Sequence, residues 1–115
     1  MKKVTGVLLV AALAITSHMA VARELLPKEK GLIANAVKQQ LKDPDSAKFF
    51  WQDYKGGDIY CAHVNAKNSY GGFSGKALVL AGIKNDARGE IISAEASIRS
   101  DSMMNSICTD AGYQP

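Results

Sequence analysis

The order of patterned segments predicts an α+β fold with an N-terminal helix, a four-stranded antiparallel sheet and a C-terminal helix, joined by one Cys61–Cys108 disulfide. Three observations carry this expectation. Residues 28–42 repeat their apolar positions at helical spacing, four strand-like runs follow between residues 48 and 98 with glycine-bearing turns among them, and the chain's two cysteines form an even pair behind an export-type leader. Helices at the two ends of a run of strands suit packing on an antiparallel sheet.

Residues 1–22 have the layout of a secretory signal peptide: Lys2 and Lys3, an apolar run over 7–15, and Ala20-Val21-Ala22 as a small-residue cleavage site. Cleavage is expected after Ala22, leaving a single small α+β domain over 23–115. The apolar run falls short of the roughly 20 residues a membrane helix needs, so the mature chain is expected to have no membrane span. The first cysteine is Cys61, so no thiol stands at the cleavage point for a lipid. The full chain carries +3 with a pI near 8.9, and cleavage removes two of its positive charges, Lys2 and Lys3. The remaining charges are dispersed, which argues against nucleic acid as a partner.

An exported chain meets an oxidising compartment, where two cysteines pair most simply with one another. Cys61 and Cys108 lie 47 positions apart. Closing such a loop constrains the unfolded chain by about 4 kcal/mol in the loop-entropy treatment, before native strain is subtracted.

Along the chain, 23–26 reads as a mobile lead, and Pro27 suits a first helical position. Leu32, Ile33, Ala36, Val37 and Leu41 form an apolar stripe over 28–42, with Glu29, Lys30, Lys38, Gln39 and Lys42 on the solvent side. Asp43-Pro44 ends the helix, with Asp43 placed to cap a short turn. The aromatic run 48–54 reads as a strand, and Gly56-Gly57 turns it into a second strand over 59–65. Along that strand Ile59, Cys61 and His63 face one way and Tyr60, Ala62 and Val64 the other. After a loop over 66–75, residues 76–84 carry apolar side chains on both faces, as a covered central strand does. The turn 85–89 leads to 90–98, where Ile92, Ala94, Ala96 and Ile98 are expected inward and Ser93, Glu95 and Ser97 outward. Ser100 or Asp101 caps a last helix with Met103, Met104, Ile107, Cys108 and Ala111 as its stripe and Gly112 as its terminator.

Few residues carry recognisable chemistry. Cys61-Ala62-His63 places an imidazole beside a thiol, the pattern of an activated nucleophile, but a disulfide-bonded cysteine attacks nothing. No metal is expected, since the mature chain offers one histidine and two cysteines against the four ligands of a closed zinc site. No cofactor is expected either: Gly75-Lys76-Ala77 lacks the Ser or Thr of a phosphate-binding loop, and Tyr70 stands where its first glycine belongs. The remaining candidate is the 65–75 loop. Asn65, Lys67, Asn68 and Ser69 bring hydrogen-bonding groups, Tyr70 and Phe73 aromatic area, and Gly71, Gly72 and Gly75 tight turns. The alternative is an internally packed loop whose asparagines bond their own backbone.

The segments Asp43-Pro44-Asp45-Ser46-Ala47-Lys48-Phe49, Tyr60-Cys61 and Val64-Asn65-Ala66-Lys67-Asn68-Ser69-Tyr70-Gly71-Gly72-Phe73-Ser74-Gly75 resemble a family of small exported proteins of Gram-negative bacteria and their prophages. The resemblance covers 32–75 and departs from the pattern at Ala62, where glycine is expected, and at Phe73, where tyrosine is expected. It implies a compartment, the periplasm first and secretion second, and no particular chemistry. The expectation is a small disulfide-stabilised binding module whose 65–75 loop contacts an envelope protein or glycan. The alternative is an envelope hydrolase or thiol enzyme using His63.

Overall fold

The computed structural model describes residues 22–99 and 101–115. The expected leader, apart from Ala22, and the alternative cap Ser100 lie outside the described residues. The elements are α1 (Pro27–Lys38), a 3-10 turn (Pro44–Ser46), β1 (Lys48–Phe50), β2 (Ile59–Asn65), β3 (Ala77–Asn85), β4 (Ile91–Ile98) and α2 (Ser102–Asp110). The four strands make one antiparallel sheet in the order β1-β2-β3-β4, a meander in which chain neighbours pair. The α+β architecture, its two helices and the Cys61–Cys108 bond agree with the sequence pattern.

Helix α1 opens at Pro27, where the missing amide hydrogen costs nothing, and the Leu26 amide donates to Glu29 Oε1 at 2.8 Å. It stops earlier than the stripe suggests. The Gln40 and Leu41 amides turn to Val37 and Lys38, three residues back, and the Gln40 side-chain amide donates to the Ala96 carbonyl of β4. Ile33 and Val37 are buried in an apolar cluster that also holds Tyr60, Val64, Val79 and Ile91. Asp43 does not cap the following turn with its side chain; its carbonyl accepts from the Ser46 amide and hydroxyl instead.

The aromatic run 48–54 is not one strand. Only Lys48–Phe50 pairs with β2, because other groups take the backbone beyond it. The Tyr60 hydroxyl accepts from the Gln52 amide at 2.8 Å and donates to the Gln52 carbonyl at 2.7 Å. Tyr54 pairs with Arg23 through two backbone bonds of 3.0 and 2.6 Å. The 23–26 segment is therefore part of the fold, with Leu25 buried. Tyr54, Tyr60 and Tyr113 meet edge to face at 6.4 and 5.4 Å, and burial raises the Tyr60 and Tyr113 phenols above the ordinary tyrosine range. They stay protonated, and the Tyr113 hydroxyl accepts from the Lys55 amide.

Strand β4 has its inward register corrected by a bulge. Lys84 pairs with Ser93 but Asn85 with Ile91, so Ile92 is the extra residue and lies 53% exposed while Ile91 is fully buried. Helix α2 is capped by Asp101 Oδ1 accepting from the Met104 amide at 2.8 Å. Gly112, at φ 93°, ends it: the Tyr113 amide reaches the Cys108 carbonyl and the Gly112 amide that of Thr109, the paired bonds of a Schellman motif. Only Met104 and Cys108 of the expected stripe are buried; Met103 and Ile107 are exposed, because a nine-residue helix tied at Cys108 turns a narrow line to the sheet. Since Cys61 faces away from Tyr60 and Ala62, the disulfide holds α2 on the opposite face of β2 from those residues.

Candidate functional site

The 65–75 segment is a small hairpin standing beyond the end of β2. Lys67 and Phe73 bridge antiparallel, the Asn68 amide donates to the Gly72 carbonyl at 2.8 Å, and the Gly71 amide donates to the Asn68 carbonyl at 3.1 Å. Gly71 has φ 81°, completing a three-residue turn in which the glycine takes the left-handed position. The Asn68 side-chain oxygen accepts from the Tyr70 and Gly72 amides, and the Asn65 side-chain oxygen from the Gly75 amide. At the base, the Ser46 hydroxyl accepts from the Lys67 amide at 2.8 Å. The hairpin is thus internally tied at its tip and anchored to the turn after α1.

This arrangement divides the sequence-predicted residues. The side-chain oxygens of Asn65 and Asn68 hold loop backbone, as the internally packed reading anticipates. Ser69, Tyr70 and Phe73 are exposed, Tyr70 to 97% at the tip and Phe73 to 43% on the limb, while Lys67 is half-buried beside the Phe73 ring. The same turn is built a second time at Asp86, whose side-chain oxygen accepts from the Arg88 and Glu90 amides, with Gly89 at φ 83°. Because an aspartate performs that role there, Asn68→Asp should preserve the tip and Asn68→Ala should loosen it. Hydrogen exchange at the Tyr70 and Gly72 amides measures this: protection is expected to fall in the alanine variant and hold in the aspartate one. Equal protection in all three proteins would show that the side chain does not hold the turn.

Two residues that sequence reasoning left out belong to this surface. Lys48 Nζ lies 4.6 Å from the Phe73 ring centroid, with Lys67 Nζ at 5.6 Å, and Lys76 Nζ lies 4.0 Å from that of the half-exposed Phe50. Register brings them together: Lys48 sits opposite Asn65, and Lys76 directly precedes Ala77, the partner of Val64. Beside the other flank of the hairpin is a groove of about 320 Å³ lined by Leu41, Lys42, Val64, Lys67, Asn68 and Ile98, among others.

Cys61 is bonded to Cys108 and both are fully buried, so Cys61 offers His63 no thiol to activate. There is no free cysteine, and no group of three or more potential metal-ligating side chains, among the described residues. No helix among the described residues is long and apolar enough to cross a membrane. Comparison with protein-family models finds no match, nor do searches of curated proteins and of solved structures.

Proposed function

We propose that this chain is a small exported, disulfide-stabilised binding module whose 65–75 hairpin contacts a component of the Gram-negative cell envelope, protein or glycan. The observation that carries this reading is Tyr70, a phenol almost wholly exposed on a tip whose backbone bonds are satisfied from within. A fold gains no burial from an aromatic held out in water, whereas recognition surfaces are enriched in tyrosine. The disulfide and the signal-like leader support an oxidising compartment, with the periplasm as the first location. Membership of the exported Gram-negative and prophage family belongs to the same proposal.

The test replaces Lys67 and Tyr70 together by alanine and leaves Asn68 in place to hold the turn. Capture of the envelope component from membrane and periplasmic extract is expected to disappear. The thermal midpoint should fall only slightly, since the exposed Tyr70 contributes within about 0.5 kcal/mol and the half-buried Lys67 adds only its contact with the Phe73 ring. Undiminished capture by the double variant would remove the hairpin from the contact surface.

A further inference from the structure

We infer that the cationic aromatic patch flanking the hairpin is a subsite for an anionic saccharide, with Lys48, Lys67 and Lys76 holding a phosphate or carboxylate and Phe73 packing on the sugar. This deepens the binding-module reading and rests on it. Lys48 and Lys67 lie against the half-exposed Phe73 ring, and Lys76 lies against Phe50, two residues along β1 from Lys48. Like charges so placed repel one another. The ion pairs among the described residues are Arg23–Glu29 and Lys28–Glu90, so none of the described carboxylates forms an ion pair with these three lysines. Asp43 and Asp45 lie on the adjoining turn and pair with none of them.

The residue types select the ligand. Lysines are point charges that suit phosphate and carboxylate without the planar fork of arginine. The partly open Phe73 ring, with Tyr70 beyond it on the same hairpin, offers apolar area to the C–H face of a sugar ring. An acidic peptide fits less well, because β1 presents an edge of three residues, too short to register an added strand.

Titration calorimetry on the disulfide-bonded protein tests this with four probes: oligogalacturonate, its methyl ester, a phosphomannan oligosaccharide and poly-L-glutamate. At least one of the two anionic sugars is expected to bind, with affinity falling as salt rises and the uncharged ester at least tenfold weaker. Lys48→Gln, Lys67→Gln and Lys76→Gln together should cost at least tenfold, and Phe73→Ala, with every lysine retained, severalfold; melting curves verify that both variants fold. Failure of both anionic sugars to bind overturns the subsite. So does poly-L-glutamate binding as tightly and indifferently to Phe73→Ala, which would mark a site for acidic polypeptide. If envelope capture depends on Lys67 and Tyr70 but no anionic sugar binds, the subsite falls and the binding-module reading stands. If anionic sugar binds while capture survives the Lys67/Tyr70 variant, the contact assigned to the hairpin falls instead.

Discussion

Replacing Glu29 by alanine is expected to destabilise the protein by about 3–5 kcal/mol, the range for breaking a buried, hydrogen-bonded ion pair. Glu29 is completely buried in the first turn of α1, and its two oxygens accept four hydrogen bonds. Arg23 donates to both, at 2.6 and 2.7 Å, the Leu26 amide donates to Oε1 and the Ile91 amide to Oε2, each at 2.8 Å. Arg23 also donates to the Gly89 carbonyl at 2.8 Å and stacks over Tyr54 at 5.2 Å. One carboxylate therefore joins the N-terminal segment, α1 and the start of β4. Truncation leaves two backbone donors and a guanidinium without their partner.

The same cluster sets an acid limit. The Arg23 hydrogen bonds, together with those from Ile91 and Leu26, outweigh burial and hold the Glu29 carboxyl at about 2, below its ordinary 4.5. A lowered folded-state value means that the stabilisation is fully present above about 4.5 and is lost as pH falls through about 2. At 1.36 kcal/mol per unit the loss is about 3 kcal/mol. Urea unfolding from neutral pH down to about 2 should show this decline in the native protein and a flatter one in Glu29→Gln. Parallel curves would assign the acid sensitivity to other carboxylates. Arg23→Ala is expected to cost less than Glu29→Ala, since the Arg23 side chain is 36% exposed and solvent screens its share.

Periodicity and turn chemistry made most of the scaffold legible, while competition for backbone groups was not. The helical stripe at Ile33 and Val37, the turns at Gly56-Gly57 and Asp86–Gly89, and the Asp101 cap each rest on neighbours in sequence. The aromatic 48–54 run misleads because Tyr60 and Arg23, remote in sequence, take the backbone at Gln52 and Tyr54. Glu29 reads as a solvent-side residue because its partner stands in a segment with no pattern of its own. Ile91 and Ile92 are interchangeable in composition, and only the bulge decides which is inward. At the candidate site, Lys67, Tyr70 and Phe73 are visible as one contiguous stretch. Lys48 and Lys76 join them only through strand register, which one sequence does not specify.

Reduction of the disulfide, or Cys61→Ala with Cys108→Ala, is expected to remove up to about 4 kcal/mol by freeing the loop of 47 residues in the unfolded chain. For a domain of this size that corresponds to a fall in thermal midpoint of about 15–30 °C. The loss should not be uniform. Helix α1 is held by Ile33, Val37, the Glu29 cluster and Gln40, whereas α2 buries only Met104 and Cys108 and leaves Met103 72% exposed. Its remaining ties run through the residues that follow it: Tyr113, which is buried edge-on against Tyr60 and accepts from the Lys55 amide, and Gln114, which exchanges bonds with Gln52. Hydrogen exchange in the double variant should therefore rise first across Ser102–Asp110, with β2 and β3 still protected. Uniform exchange would instead place the two helices in one cooperative unit with the sheet. The hairpin draws its bonds from Asn65, Asn68, Ala66 and Ser46, none of them in α2. Envelope capture by the folded fraction should consequently survive loss of the disulfide and disappear with Lys67 and Tyr70, which separates what holds the scaffold from what the scaffold presents.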